Sequence, residues 1–302
     1  MEHLPSVRHL RHLTALADHR HFCRAADACC VTQSTLSASI KELESVLEAT
    51  LVDRSKRNVV LTPLGLDTVE RARKIIVDCE ELARTARATR QPLCGTLRMG
   101  AIPTISPFLL PRVLPDLRRT YGKLRLYLVE DLTMRLIELL HHGKLDVVLL
   151  ALPYDGGAVE TATLFDDPLV AALPAGHPLV KEERIEPRLL SEDLLLLKDG
   201  HCLREHALAA CHFADRRHTD EFEATSLATL VQMVDNGLGT TLLPKLAVDG
   251  GLLAGTSLVT RPLSSDAAAR EIGLAWRRGT GRRDEFRLLA QELAKRAKRQ
   301  AN

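Results

Sequence analysis

The stretch AADACCVTQSTLSASIKELESVLEATLVDRSKRNVVLTPLG, residues 25–65, decides how the first third of the chain folds. Its apolar residues recur twice at helical spacing, with a very short break between. Phe22, Ala25, Ala26 and Cys29 share one face of a helix predicted over 22–30, and Leu36, Ile40, Leu43 and Leu47 share one face of a second over 33–47. Only Val31-Thr32 separates them, a connection about as short as a helix-turn-helix demands. The small pair Ala25-Ala26 allows the helices to cross closely, and Thr32 is a good N-cap for the second. Upstream, Leu10, Leu13 and Ala17 mark another helix over 7–17. Downstream, DRSKRNVVLT (53–62) reads as a small hairpin, with its turn near Lys56-Arg57-Asn58 and a return strand Val59-Val60-Leu61. Thr62-Pro63 then supplies the N-cap and first residue of a long helix. That helix carries Leu66, Val69, Ala72, Ile76, Cys79, Ala83 and Ala86 in a narrow stripe on an otherwise charged surface, the pattern of a dimerisation helix.

Opposite the apolar face of helix 33–47 lie Ser34, Ala38 and Lys41, with Gln33, Thr35 and Ser37 near its start. Gln, Ser and Thr at a helix N-terminus suit base edges and phosphates in a major groove. Arg54, Lys56 and Arg57 on the hairpin would grip the adjacent phosphate backbone, a contact that carries no sequence information. An ordinary three-helix packing unit has the same periodicity. Residues 1–66 carry eight Lys/Arg against seven Asp/Glu, so charge does not choose between the two.

The order of residues does. The segment 25–65 strongly resembles the N-terminal domain of LysR-type transcriptional regulators. The matching positions are Ala25, Ala26, Thr32, Gln33, Ser34, Thr35, Leu36, Ser37, Ile40, Leu43, Glu44, Leu51, Arg54, Thr62 and Gly65. Ser34 stands where Pro or Ser is usual, and Val52 replaces the usual Phe or Leu-type residue. The resemblance implies a winged helix-turn-helix over 1–62, with Thr32, Gln33, Ser34, Thr35, Ser37, Lys41, Arg54, Lys56 and Arg57 on DNA. It implies a linker and dimerisation helix over 63–92. It also implies a regulatory domain over 93–302, built of two periplasmic-binding-protein-like α/β lobes: lobe I about 93–167 and 268–302, lobe II about 168–267.

The remainder of the chain fits such a domain. The 302 residues are 45% hydrophobic and 26% charged, which excludes a disordered chain, while 41 Lys/Arg against 39 Asp/Glu leave a net charge of only +2. No apolar run of about 18 residues is present, so no membrane span is expected. MEHLPSVRHLRHL lacks a signal-peptide apolar region, which predicts a cytoplasmic protein. Strands are predicted at Leu97–Ile102, Leu124–Val129, Val147–Leu152, Leu169–Leu173, Leu194–Leu197, Glu221–Ala224, Thr240–Leu243, Ser257–Val259 and Ile272–Trp276, most of them separated by helices: an α/β pattern. Loop signals near Pro153–Gly157 and Asp249–Gly255 fit two lobes.

Seven cysteines, an odd number in a chain without an export signal, argue against a disulfide scaffold. The focus is DGHCLREHALAAC, residues 199–211. Cys202 falls near the start of a predicted helix, beside His201 and two residues before Arg204. A helix N-terminus and nearby cations favour the thiolate, the reactive form. Cys211 is nine residues later, about 13 Å along a continuous helix. A disulfide needs Cα atoms about 4.4–6.8 Å apart, so these two join only if the helix opens. Redox chemistry, plain burial and metal binding all remain open on spacing alone. Cys23, Cys29, Cys30 and Cys79 read as packing residues, and Lys295–Arg299 as a solvated helix end.

GHCLR with its later Cys, together with AIPTISPFLLP, GKLDVVLLAL, ATSLATL and GTTLLP, is similar to the peroxide-sensing OxyR branch of the LysR family along nearly the whole chain. That resemblance implies Cys202 as peroxidatic and Cys211 as resolving cysteine. It implies a peroxide pocket of Thr104, Thr133 and His201 with Arg204 nearby, and no metal or other cofactor. Ser226 lies in the interlobe cleft by the same analogy, with a structural role. The implied partners are promoter DNA, a dimer or tetramer of the chain itself, RNA polymerase, and a thiol reductant such as glutaredoxin or thioredoxin. The competing readings are a LysR-type regulator that binds a small organic anion between its lobes, and a thiol peroxidase. The DNA-binding segment argues against an enzyme.

Overall fold

In the computed structural model, residues 4–53, 59–88, 92–154, 156–190, 193–211, 224–264 and 269–299 are described. They divide into two compact units, Met1–Thr89 with His141–Gly143, and Arg90–Leu140 with Lys144–Asn302.

The N-terminal unit begins with α1 (Val7–His19), α2 (Phe22–Ala28) and α3 (Gln33–Val46). Leu10, Leu13 and Leu16 of α1, Ala25 and Ala26 of α2, and Leu36, Ile40 and Leu43 of α3 form one core. The expected tight turn is present: Cys30 takes a φ of +55° and Thr32 caps α3. Strands β1 (Val52–Asp53) and β2 (Val60–Leu61) pair antiparallel, in the register Val52↔Leu61 and Asp53↔Val60. The Glu44 carboxylate accepts hydrogen bonds from the N–H groups of Leu51 and Val52, at 2.9 and 3.1 Å, and so ties the strand pair to α3. Thr62 caps α4 (Pro63–Ala88): its Oγ1 accepts from the Gly65 N–H at 2.9 Å and donates to the Thr50 carbonyl at 2.9 Å. A Cβ on Gly65 would stand 2.2 Å from the Leu51 carbonyl oxygen, so only glycine fits this corner.

Three expectations fail here. Helix α2 ends at Ala28, so Cys29 and Cys30 fall in the turn; Cys29 still packs half-buried against the core as expected, whereas Cys30 is exposed. Cys23 sits on the outer side of α2 and is also exposed. Leu47 lies past the last turn of α3 and is exposed. On α4 the predicted stripe is divided: Val69 and Ala72 are buried in the core and Ile76 packs against it, while Leu66 and Cys79 are exposed, as are Ile75 and Leu82 off the stripe.

The second unit contains β3 (Gly95–Ala101), α5 (Ser106–Thr120), β4 (Leu124–Glu130), α6 (Thr133–His141), β5 (Val147–Leu152), β6 (Val159–Leu173), α7 (Cys202–Ala210), α8 (Leu227–Asp235), β7 (Thr241–Pro244), α9 (Lys245–Asp249), β8 (Val259–Pro262), β9 (Ala269–Arg277) and α10 (Arg283–Arg299). The strand order is β4-β3-β5-β9-β6-β7, with β8 also on β6. Strands β4, β3 and β5 run parallel, and β9 is antiparallel to β5. The continuous strand β6 serves two lobes: its first part pairs with β9 and its last part with β7 and β8. One apolar core gathers β3, β5, β9, α5, α6 and α10, and a second gathers the end of β6 with β7, α7 and α8.

The sheet differs from expectation in detail. The first ten residues of β6 carry threonines and acids in place of a clean apolar run, and were not legible as strand. Leu194–Leu197 makes only isolated bridges, Leu194 to Thr240 and Leu197 to Ala224, because the segment meets its neighbours at single points. Ser257 and Leu258 precede β8, which starts at Val259. Of the strand predicted at 221–224, only Ala224 lies within the described residues. The helix end 295–299 is not wholly solvated: Arg296 is buried, donating to Thr120 Oγ1 at 2.9 Å and pairing with Glu292.

Candidate functional site

The carboxyl ends of three neighbouring parallel strands frame the candidate site. Thr104 follows β3, Thr133 follows β4, and Leu152 closes β5. In open α/β sheets this edge is where ligands are held. Thr104 is buried, and its Oγ1 accepts from the Arg270 guanidinium at 2.8 Å while its carbonyl accepts a second Arg270 N–H at 2.9 Å. The Arg270 Nε donates to Asp167 Oδ2 at 3.0 Å, and Asp167 Oδ1 accepts from the Leu246 N–H at 2.8 Å. The guanidinium is therefore satisfied on three sides and holds Thr104 in place. Thr133 opens α6; its buried Oγ1 has no hydrogen-bond partner among the described residues. An unpaired buried hydroxyl is costly unless something polar fills the space before it.

Across from this edge, Gly200, at φ +94°, turns the chain into α7. The Leu132 side chain, next to Thr133, packs against that glycine, 3.3 Å from where a Cβ would stand. His201 caps α7 by backbone only and is buried. Burial lowers its pKa below the usual 6.5, partly opposed by a hydrogen bond to the Thr225 backbone. Cys202 is the first residue of α7, half-buried and packed against the first core. Cys211 caps the other end of the helix, fully buried in the second core, and burial pushes its thiol up to about 11. The predicted separation thus holds: one unbroken helix lies between the two sulfurs. Arg204 turns toward Asp199, at 2.8 Å, and the Leu197 carbonyl. Ser226 caps α8, its Oγ accepting from the Thr229 N–H at 3.2 Å.

In the N-terminal unit, Thr32, Gln33, Ser34, Thr35 and Lys41 are exposed and Ser37 half-exposed along one side of α3. Thr32 Oγ1 accepts from the Thr35 N–H at 3.2 Å and pairs with the Ser34 and Thr35 hydroxyls at 2.9 and 2.8 Å. The Cys23 thiol donates to Gln33 Oε1 at 3.2 Å. Arg54, Lys56 and Arg57 lie outside the described residues. Among the described residues, no group of three or more His, Cys, Asp or Glu is placed to hold a metal ion, and no helix is long and apolar enough to cross a membrane.

Residues 7–66 match the family described as bacterial regulatory helix-turn-helix protein, lysR family, and residues 90–298 match the LysR substrate binding domain. The chain belongs to the LysR family of transcriptional regulators. Among its LysR relatives, the DNA-binding transcriptional dual regulator OxyR of Escherichia coli is 40% identical over 295 residues, covering 95% of this chain and 94% of the relative. The HTH-type transcriptional regulator EstR of Acinetobacter baylyi is 39% identical over 294 residues, 97% of each chain. A full-length OxyR cysteine-to-aspartate variant from Pseudomonas aeruginosa superposes with a TM-score of 0.78 at 36% identity, over 98% of this chain and 95% of that one. A hydrogen-peroxide-bound cysteine-to-serine OxyR variant from Corynebacterium glutamicum gives 0.67 at 32% identity, over 99% and 94%.

Two residues beside the candidate site escaped sequence reasoning. Arg270 is a lone cation opening an apolar strand, AREIGLAW, and that misplaced charge was the available signal. His206 lies four residues after Cys202, on the same face of α7. Its Nδ1 is 2.6 Å from the Cys202 carbonyl.

Proposed function

We propose that this chain is a DNA-binding regulator of an oxidative-stress response, which senses hydrogen peroxide through a reversible Cys202–Cys211 disulfide. One observation carries the reading: the two thiols terminate a single nine-residue helix, Cys202 half-buried against the first core and Cys211 sealed in the second. Relatives named hydrogen peroxide-inducible genes activator and a hydrogen-peroxide-bound neighbouring structure support the choice of effector.

The peroxide pocket comprises Thr104, Thr133 and His201, with Arg204 at its margin. The Thr133 hydroxyl is free to hold one peroxide oxygen, and Thr104 is fixed by Arg270. The Cys202 sulfur attacks one oxygen; the O–O bond breaks, and the departing hydroxide takes up the proton lost by the thiol, leaving a sulfenic acid and water. Cys211 then gives up its proton and attacks the Cys202 sulfur; the S–O bond breaks, a second water leaves, and the disulfide forms. Because the sulfurs start about 13 Å apart along the helix, α7 must open for this second step. A dithiol reductant such as glutaredoxin or thioredoxin returns two electrons and two protons.

The output is a changed DNA contact. Residues 1–62 form the winged helix-turn-helix, with Thr32, Gln33, Ser34, Thr35, Ser37 and Lys41 facing the groove and Arg54, Lys56 and Arg57 on phosphates. Residues 63–92 form the linker, and the outward Leu66, Ile75 and Leu82 support self-association along it into a dimer or tetramer. Residues 93–302 form the redox domain, with lobe I about 93–167 and 268–302 and lobe II about 168–267. The protein works in the cytoplasm with RNA polymerase as downstream partner, and it is not an enzyme. DNA footprinting of reduced and peroxide-treated protein tests this reading. The protected region shifts on oxidation, and Cys202→Ser abolishes the shift; a shift retained by Cys202→Ser overturns the proposal. A wild-type footprint that peroxide leaves unchanged would also overturn it, and would favour the second reading, a LysR-type regulator that binds a small organic anion between its lobes.

A further inference from the structure

Cys202 has a neighbour that the reading above does not use. His206 stands one turn further along α7 and is more than half buried. A carbonyl only accepts, so Nδ1 carries a proton and donates it to the Cys202 oxygen at 2.6 Å. The ring also meets the Cys202 thiol and the Leu152 carbonyl. Leu152 is the last residue of β5 and belongs to the first core, whereas Leu203 and Ala207 of α7 are buried in the second. The imidazole thus lies where the reactive turn of one lobe meets a strand end of the other.

We propose that His206 is a positioning residue for Cys202: its ring latches the first turn of α7 to the end of β5 and places a switchable positive charge beside the sulfur. The inference rests on the redox reading of Cys202. Charged groups on the neighbouring elements are engaged elsewhere. On α7, Arg204 pairs with Asp199 and Glu205 is exposed. On β9, which packs against α7, Arg270 serves Asp167 and Thr104, and Glu271 accepts from the Thr163 hydroxyl. The ring therefore faces one thiol and two carbonyls. A doubly protonated imidazole has two N–H donors for these acceptors, and a neutral one has only one. Consistently, the hydrogen bond with the thiol, then the backbone carbonyls, raises the His206 pKa above 6.5 despite burial. The charge is present below that raised pKa and lost as pH rises through it. Peroxide chemistry at sulfur is unchanged in its balance; His206 supplies orientation and field.

The experiment is the rate of Cys202 alkylation by iodoacetamide in the full-length reduced protein, from about pH 5.5 to about pH 8.5, a range that spans ordinary imidazole titration. The wild-type profile shows an inflection above 6.5 that His206→Gln lacks, and at about pH 6.5 the variant reacts several-fold more slowly. Glutamine can still donate to the Cys202 carbonyl, so a purely structural role predicts identical profiles, and identical profiles overturn the proposal. NMR titration of the His206 ring needs no variant at that position. It should titrate above 6.5 in wild type and lower in Cys202→Ser; a value at or below 6.5 in wild type also overturns it. Alkylation does not involve peroxide. If wild-type Cys202 ignores peroxide but keeps the imidazole-dependent profile, the sensor reading fails and the His206 inference stands.

Discussion

Arg270 joins Thr104 to Asp167 across the sheet. Fully buried, it bonds the Thr104 hydroxyl, the Thr104 carbonyl and Asp167, which in turn fixes the start of α9 through the Leu246 N–H. Removing one partner of such a set strands a buried carboxylate and a buried carbonyl. Arg270→Met should cost about 3–5 kcal/mol of stability in urea unfolding, the scale of a broken buried ion pair. Arg270→Lys should recover only part of this, because an ammonium cannot reach the carboxylate, the hydroxyl and the carbonyl in the same fork geometry. A loss below about 1 kcal/mol for Arg270→Met would place the guanidinium outside the structural core of the site. The same residue marks where sequence reading stopped. Thr104, His201 and Cys202 are local to their motifs, but Arg270 reaches Thr104 across 166 positions. No spacing rule connects two residues joined only by a sheet.

At the scale of elements, the proposed disulfide requires α7 to change. Leu203 and Ala207 anchor it in the second core, while Cys202 leans on the first. Hydrogen exchange should therefore find the amides of 203–211 protected in the reduced protein and markedly less protected after peroxide, since the helix cannot persist across a bond that brings its ends together. Equal protection in both states would contradict the mechanism. The helices themselves were legible: α1, α2, α3 and α4 follow from period and caps, and the turn at Thr32 from its shortness. The strands were legible where both faces are buried, as in β5, VVLLAL. They were not legible where a strand changes partners, as in β6, whose polar first part is ordered by β9 rather than by its own pattern. The exposed Cys30 shows the converse: a small apolar residue continues a helical stripe only while the helix continues.

At the scale of the whole molecule, a LysR helix-turn-helix and a two-lobed α/β domain are joined in one chain, and sensing requires that chemistry in the second alter DNA contact by the first. Net charge said nothing of this, whereas residue order along α3 and around Cys202 said most of it. The proposed switch depends on one covalent event, and mass spectrometry of the full-length protein reads it directly. After a short exposure to stoichiometric hydrogen peroxide, with remaining thiols blocked and the chain digested without reductant, the account predicts a cross-linked peptide pair joining Cys202 to Cys211, with the other five cysteines still blocked as thiols. A Cys202 recovered as free thiol, or joined to a cysteine other than Cys211, would contradict it.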